Sequence, residues 1–285
     1  MLKNAPTSIA PVENHRQREK GVLVYPVYSR RSGGLSVGIN LFPDQKSCPF
    51  DCPYCEVFPF STNAVFSLEQ MEKDLRSVIA DAGERKIPVM DICFSGNGEP
   101  SLSPDFPCAL ELATSIRSEL VPSAKLVLIT NGAGLLHPEI FSLLRDAAIN
   151  HALDIWLKLD AGTSGWYQLI NHTEIPHDKL IAKIKEFAAL APFTVQTMLC
   201  AVDGKAPPPD EARAWEKLLL ELAAIADGAA AAGGGIRKIQ IYGKARPSPD
   251  DPKAQALPVA YLEERTASLK QALINATFIP VEVYP

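Results

Sequence analysis

Cys48-Pro49-Phe50-Asp51-Cys52-Pro53-Tyr54-Cys55 sets three cysteines within eight residues, in the spacing C-x3-C-x2-C. Three thiolates on so short a loop can hold three corners of a cubane iron-sulfur cluster and leave the fourth iron open to a ligand from outside the chain. Clusters that only move electrons usually present four cysteines. The remaining cysteines, Cys93, Cys108 and Cys200, stand singly at distant points. A structural zinc site takes four protein ligands, so zinc would need a fourth group supplied by the fold. Disulfides are disfavoured, because the triplet is too closely spaced to bridge within itself and nothing in the sequence points to secretion. Pro49 and Pro53 stiffen the loop and remove two backbone donors. The amides that remain are left to bond cluster sulfurs.

Outward from the triplet, the pattern alternates between apolar strand-like runs and amphipathic helical stretches, the order expected of parallel βα units. Strands are expected at 35–42, 88–95, 124–131, 153–160, 193–200 and 236–242. Helices are expected at 67–82, 105–120, 138–147, 178–190, 209–229 and 258–273. A short extended segment covers 21–28, broken by Pro26, and 276–283 reads as a closing strand or tail. Six strands, each followed by a helix with the cysteine loop inserted after the first, give an α/β fold of the partial (βα)6 TIM-like barrel type. A doubly wound sheet shows the same alternation, so the loop after strand one decides between them. Asp227 to Gly235 is low in complexity and reads as a helix end running into a glycine linker.

The chain has 285 residues, of which 47% are hydrophobic, enough for one large core. One core domain is expected over 21–285, preceded by an arm at 1–20. The net charge of -5 argues against broad nucleic-acid affinity. No apolar run approaches the ~20 residues of a spanning helix, and residues 1–20 are too polar for a signal peptide or anchor. A cytoplasmic setting is expected, and it suits thiols that must stay reduced.

The cysteine spacing resembles the signature of the radical S-adenosylmethionine (radical SAM) superfamily. Phe94-Ser95-Gly96-Asn97-Gly98-Glu99-Pro100, one βα unit later, resembles that family's GGE-type motif. Tyr28-Ser29-Arg30-Arg31 and Ile241-Tyr242-Gly243-Lys244-Ala245-Arg246-Pro247 add a likeness to its wyosine-like oxidoreductase branch, over most of residues 25–250. The resemblance implies a [4Fe-4S] cluster on Cys48, Cys52 and Cys55, with S-adenosylmethionine on the open iron. It implies that Tyr54 packs on the adenine; the alternative is a loop aromatic that covers the cluster. It also implies that Gly96, Asn97, Gly98 and Glu99 receive the methionine amino group, glycines letting backbone approach closely and Glu99 supplying the charge. No cysteine precedes Cys48, which departs from the tricyclic-base synthases of that branch and their second cluster.

Barrel active sites collect at the C-terminal ends of strands. Thr130 and Asn131 end strand three, Lys158 and Asp160 end strand four, and Gln196, Met198 and Cys200 share one parity on strand five. Trp156, Lys158 and Asp160 share a face by strand alternation. Asp160 resembles the family's polar residue near the ribose or carboxylate of the cofactor; a structural ion pair with Lys158 is the alternative. Lys158, Lys244 and Arg246 are the candidate contacts to an anionic substrate. The reaction expected is reductive cleavage of S-adenosylmethionine to a 5′-deoxyadenosyl radical that modifies a substrate, with an external flavodoxin or ferredoxin as electron donor. A small molecule is the favoured substrate, and an RNA base or a peptide is the alternative. A non-catalytic iron-sulfur or zinc-stabilised binding protein would keep the cysteines but have no use for the Gly96–Glu99 loop.

Overall fold

The first strand ahead of the cysteine loop is the inner arm of a hairpin. In the computed structural model, which describes residues 21–150, 153–229, 234–274 and 279–285, β1 (Val24–Ser29) pairs antiparallel with β2 (Gly34–Ile39). The stretch read as extended from composition is therefore a true strand, and β2 stops at Ile39 because Asn40 turns its side chain onto backbone, Nδ2 donating to Val22 O at 3.0 Å. The expected arm at 1–20 lies outside the described residues, as does part of the glycine-rich stretch, 230–233.

Two compact units make up the chain. One contains Val57–Ile129 and the residues up to Cys48; the other contains Pro49–Glu56 and Thr130–Pro285. In the first, β2 pairs parallel with β3 (Val89–Phe94) and β3 parallel with β4 (Lys125–Thr130). The crossover helix α1 (Leu68–Glu84) follows from its sequence: Ser67 caps it through Gln70 N–H, and Met71, Leu75, Val78, Ile79 and Ala82 form one buried stripe at helical spacing. Helix α2 (Phe106–Leu120) buries Phe106, Ala109, Leu110, Ala113 and Ile116 in the same manner, with the Phe106 ring edge-on to Phe94 at 5.4 Å.

In the second unit, β5 (Leu153–Lys158), β6 (Pro192–Val202), β7 (Gly235–Gly243) and β9 (Val281–Tyr284) run parallel in that order. A short β8 (Ala254–Ala256) lies antiparallel on the end of β6. Every residue of β6 is buried, as expected of a parallel strand covered on both faces. Alternation divides those faces by chemistry. Leu157, Phe193, Val195 and Ile239 point to the side packed by helices, where Phe193 meets Phe187 of α5 (His177–Ala188) and the Trp215 indole of α6 (Pro209–Ala229) donates to Thr197 Oγ1.

The opposite face is polar. Register sets Trp156 beside Thr194, Lys158 beside Gln196, Gln196 beside Gln240, Met198 beside Tyr242 and Gln240 beside Glu282. Gln196 Nε2 donates to Gln240 Oε1 at 2.8 Å, and Gln240 Nε2 to Glu282 Oε2 at 3.3 Å. Buried amides survive because each finds a partner across the strands. The helices α3 (Pro138–Asn150) and α7 (Val259–Leu273) complete the expected alternation.

One helix lies where none was expected. Between β5 and α5, α4 (Ser164–Asn171) begins at the cap Thr163, whose Oγ1 accepts from Trp166 N–H at 3.2 Å. Glu211, buried on α6, accepts from Gly162 N at 2.6 Å and Thr163 N at 2.8 Å, and so fixes the start of α4. Replacing it by alanine would leave buried amides without an acceptor, at about 1–3 kcal/mol. Glu211→Ala is thus expected to lower the urea midpoint with the slope unchanged; an unmoved midpoint would show that this carboxylate does not hold α4.

Candidate iron-sulfur site

In the first unit, the Gly96–Glu99 loop grips the backbone just ahead of Cys48. Ser47 N donates to Asn97 O and Glu99 N to Ser47 O, both at 2.9 Å. Glycine is required at 98, because a Cβ there would lie 2.0 Å from Ser47 O. Gly96 has φ +132, a region open to glycine. Asn97 contributes through both ends: its N–H bonds Asn40 Oδ1 and its Nδ2 bonds Phe42 O, each at 3.2 Å. Glu99 is buried, and its Oε1 accepts from Ser101 N at 3.2 Å and Ser101 Oγ at 2.6 Å, capping the 3-10 turn Pro100–Leu102.

In the second unit, the rest of the cysteine loop is fastened residue by residue. Asp51 N is shared between Asn171 O at 3.2 Å and His172 O at 3.1 Å. Both carbonyls face it because His172 ends α4 in the left-handed region, at φ 42. Cys55 N closes a turn on Cys52 O at 2.9 Å. Pro53 O accepts from the buried Ser248 Oγ at 2.7 Å, and Glu56 pairs with Arg246 Nη1 at 2.8 Å. Phe50 sets its ring edge-on to Tyr167 at 5.9 Å.

The innermost attachment is Tyr54, whose hydroxyl donates to Asp160 Oδ2. Asp160 also accepts from Asn171 Nδ2 at 3.2 Å, from Lys158 Nζ at 2.9 Å and from Met198 N at 2.8 Å. A carboxylate offers about four acceptor positions, so the chain itself fills them. Burial, then the adjacent carboxylate, holds the Tyr54 phenol well above its ordinary value, which keeps it a donor. Lys158 Nζ also donates to Tyr242 OH and lies over the rings of Tyr54 and Tyr242, at 4.7 and 4.6 Å from their centroids. Burial alone would discharge this lysine; Asp160 and Tyr242 outweigh it and raise its pKa, so it remains an ammonium.

Lys244 and Arg246 are drawn into the loop after β7. Lys244 Nζ meets Asp251 Oδ1 at 2.5 Å and Arg246 O at 2.7 Å. Thr130 and Asn131 turn their side chains back on the backbone two residues ahead, bonding Gly132 N at 3.0 Å and Ala133 N at 2.9 Å. The second unit thus unites Tyr54, Lys158 and Asp160 with the cysteine loop, and holds Arg246 to that loop through Glu56. Three participants escape a reading of the sequence alone: Asn171, His172 and Ser248. The pair Thr163-Ser164 ahead of Trp166, Tyr167 and Ile170 is the local signal for α4, but what Asn171 touches is set by a fold-level contact 119 residues away.

The cysteines suit an iron-sulfur cluster by donor type. All six are thiols without a disulfide, and Cys48, Cys52 and Cys55 are half-buried. Asn171 Nδ2 donates to Cys52 Sγ at 3.5 Å, an amide aimed at a sulfur. Burial pushes the Cys52 thiol up to about 11, so its thiolate requires a compensating cation. Cys48 belongs to the first unit and the other two to the second, and no three His, Cys, Asp or Glu among the described residues stand grouped as a ready metal site.

The fold is an α/β partial TIM-like barrel, the fold of solved radical SAM structures. The chain is similar to the crystal structure of a radical SAM methyltransferase from Sphaerobacter thermophilus, with a TM-score of 0.62 at 14% identity over 92% of this chain and 69% of that one. It is also similar to TYW1 with a lysine-pyruvate adduct bound, with a TM-score of 0.54 at 10% identity over 93% of this chain and 90% of that one. In sequence it is 30% identical over 167 residues to a UPF0026 protein of Helicobacter pylori strain J99, and 29% to that of strain 26695. Those matches take in 56% of this chain and 48% of the relatives, so the chain spans about half the length of the curated relatives it matches. No protein-family model matches the chain. Among the described residues no helix is long and apolar enough to cross a membrane.

Asp160 tests the geometry of the site. Asparagine in its place keeps the shape but leaves the Lys158 ammonium buried without its counter-charge, a loss of about 3–5 kcal/mol. Asp160→Asn is expected to lower stability by that amount in chemical denaturation, and Asp160→Asn combined with Lys158→Met to recover much of it. Equal instability of the single and double variants would mean that the pair is not coupled.

Proposed function

We propose that this chain is a radical SAM enzyme in which Cys48, Cys52 and Cys55 hold a [4Fe-4S] cluster that binds S-adenosylmethionine. The observation that carries the reading is the fastening of the loop: Asp51, Cys52, Pro53, Tyr54 and Glu56 are each bonded by their own unit, and one of those bonds reaches a cysteine sulfur. When bound, the cluster and S-adenosylmethionine supply a 5′-deoxyadenosyl radical and methionine. The residues of the chain orient the cofactor, exclude water and offer a cation to the substrate. Lys158, kept charged by Asp160 beside two phenol rings, is the group best suited to an anionic substrate. Lys244 and Arg246 support it by fixing the loop after β7 against the cysteine loop. A small anionic molecule is the favoured substrate, an RNA base or a peptide the alternative, and a flavodoxin or ferredoxin the electron donor.

The lysine-pyruvate adduct of TYW1 raises the question of a substrate imine here. An amine attacks a carbonyl only when neutral, whereas Lys158 and Lys244 are each ion-paired at 2.9 and 2.5 Å. We therefore assign Lys158 to charge recognition. Under borohydride, pyruvate is expected to leave no adduct on this lysine.

Anaerobic reconstitution is expected to yield four irons and four sulfides per chain, lost in Cys52→Ala and kept in Cys108→Ala. Dithionite with S-adenosylmethionine should then release 5′-deoxyadenosine. Exclusive release of methylthioadenosine would mean that a different bond breaks, and a full cluster in Cys52→Ala would remove the foundation of the reading. Glu99→Gln, which keeps the cap on Ser101 but loses the charge, is expected to weaken S-adenosylmethionine binding ~5- to 150-fold, the equivalent of ~1 to 3 kcal/mol. Unchanged affinity in an electron paramagnetic resonance titration would leave Glu99 with its capping role alone.

A further inference from the structure

The amide of Asn171 divides its two hydrogens between the buried carboxylate and a cluster cysteine. Nδ2 lies 3.2 Å from Asp160 Oδ2 and 3.5 Å from Cys52 Sγ, and a carboxamide nitrogen carries just two donors. The orientation is dictated by charge, since the flipped amide would turn its oxygen toward a carboxylate that already excludes other acceptors. The residue is buried, with 4% of its surface exposed. Its backbone is held too, because Asn171 O and His172 O share the N–H of Asp51, the residue next to Cys52. Helix α4 therefore ends in a corner that fixes the loop with its carbonyls and addresses the sulfur with its side chain.

Simple anchoring of the loop does not require this arrangement. Asp160 has three other donors in Tyr54, Lys158 and Met198 N, and the loop has other anchors in Ser248 and Arg246. An N–H directed at a ligating sulfur disperses negative charge that grows when a cluster takes up an electron, and so favours the reduced state. Asp160 brings a negative charge into contact with this corner, which disfavours reduction, and the same amide attenuates that effect.

We infer that Asn171 is a positioning residue that sets the reduction potential of the cluster, by donating one N–H to Cys52 Sγ while its other N–H holds Asp160. The inference rests on the radical SAM reading of the cysteine loop. Asn171→Leu has nearly the same volume and no donor. After reconstitution, and without S-adenosylmethionine, a reductive titration followed by electron paramagnetic resonance is expected to show full iron and sulfide content. At any fixed potential the ratio of reduced to oxidised cluster should fall about tenfold, equivalent to about 59 mV for one electron. In the unaltered protein, 15N-labelled at asparagine side chains, pulsed resonance of the reduced cluster is expected to reveal a coupled nitrogen, which needs no variant to fold. An unchanged potential at full cluster content overturns the inference, as does absence of the nitrogen coupling, which would assign any shift to Asp160. Loss of the cluster from Asn171→Leu, with no coupling in the unaltered protein, makes the residue a structural support. Failure of the unaltered protein to bind four irons would instead overturn the radical SAM reading, and this inference with it.

Discussion

A buried carboxylate must be paid for in hydrogen bonds, and Asp160 collects its four from four different parts of the second unit. Tyr54 comes from the cysteine loop, Lys158 from β5, the Met198 amide from β6 and Asn171 from α4. Removing a charge from water costs several kcal/mol even after relaxation, and the four donors together offset that cost. The carboxylate therefore ties the loop, the charged lysine and the sulfur-directed amide into one arrangement. Any displacement of the loop at Tyr54 is felt at Lys158.

The other fastenings rank below it in energy. Arg246 and Glu56 form an ion pair whose carboxylate side chain is 42% exposed, and pairs of that kind contribute about 0–1 kcal/mol. Ser248 to Pro53 O is a buried neutral bond, worth about 0.5–1.5 kcal/mol. The loop is thus held from within, and the Ser248–Arg246 side closes over it more weakly. Lys244 follows the same division. Its charge is spent on Asp251 and the carbonyl of Arg246, so it shapes the loop after β7, whereas Lys158 stays at the buried centre.

How far the sequence discloses this depends on the range of the interaction. The parallel strands and their crossover helices are legible because each is a local pattern: the α1 stripe repeats every three to four residues, and β6 is a run rich in apolar and β-branched residues. Trp156, Lys158 and Asp160 were legible as one face for the same reason, and Lys158 does pair with Asp160. Gly98 could be read as a site of close approach, but that the approaching atom is Ser47 O could not. The hairpin strand β1 was obscured by Pro26, which reads as a breaker although in the structure it lies within an edge strand, where a missing N–H is tolerated. Helix α4 was missed because eight residues give barely two turns of pattern, and its importance comes from contacts across more than a hundred residues.

The same distinction explains why the cysteine spacing discloses so much and the substrate so little. Ligation is written locally, since three thiols on one tight loop have few uses. Recognition is assembled from strand ends, and the groups gathered at the ends of β5 and β7 are satisfied by one another before any ligand arrives: Lys158 by Asp160 and Tyr242, Lys244 by Asp251. The Lys158 ammonium, flanked by two phenol rings, is held in place by the bonds that sustain the buried carboxylate. The position of the lysine and the integrity of the loop then depend on the same few hydrogen bonds, and a change that loosens one alters the other.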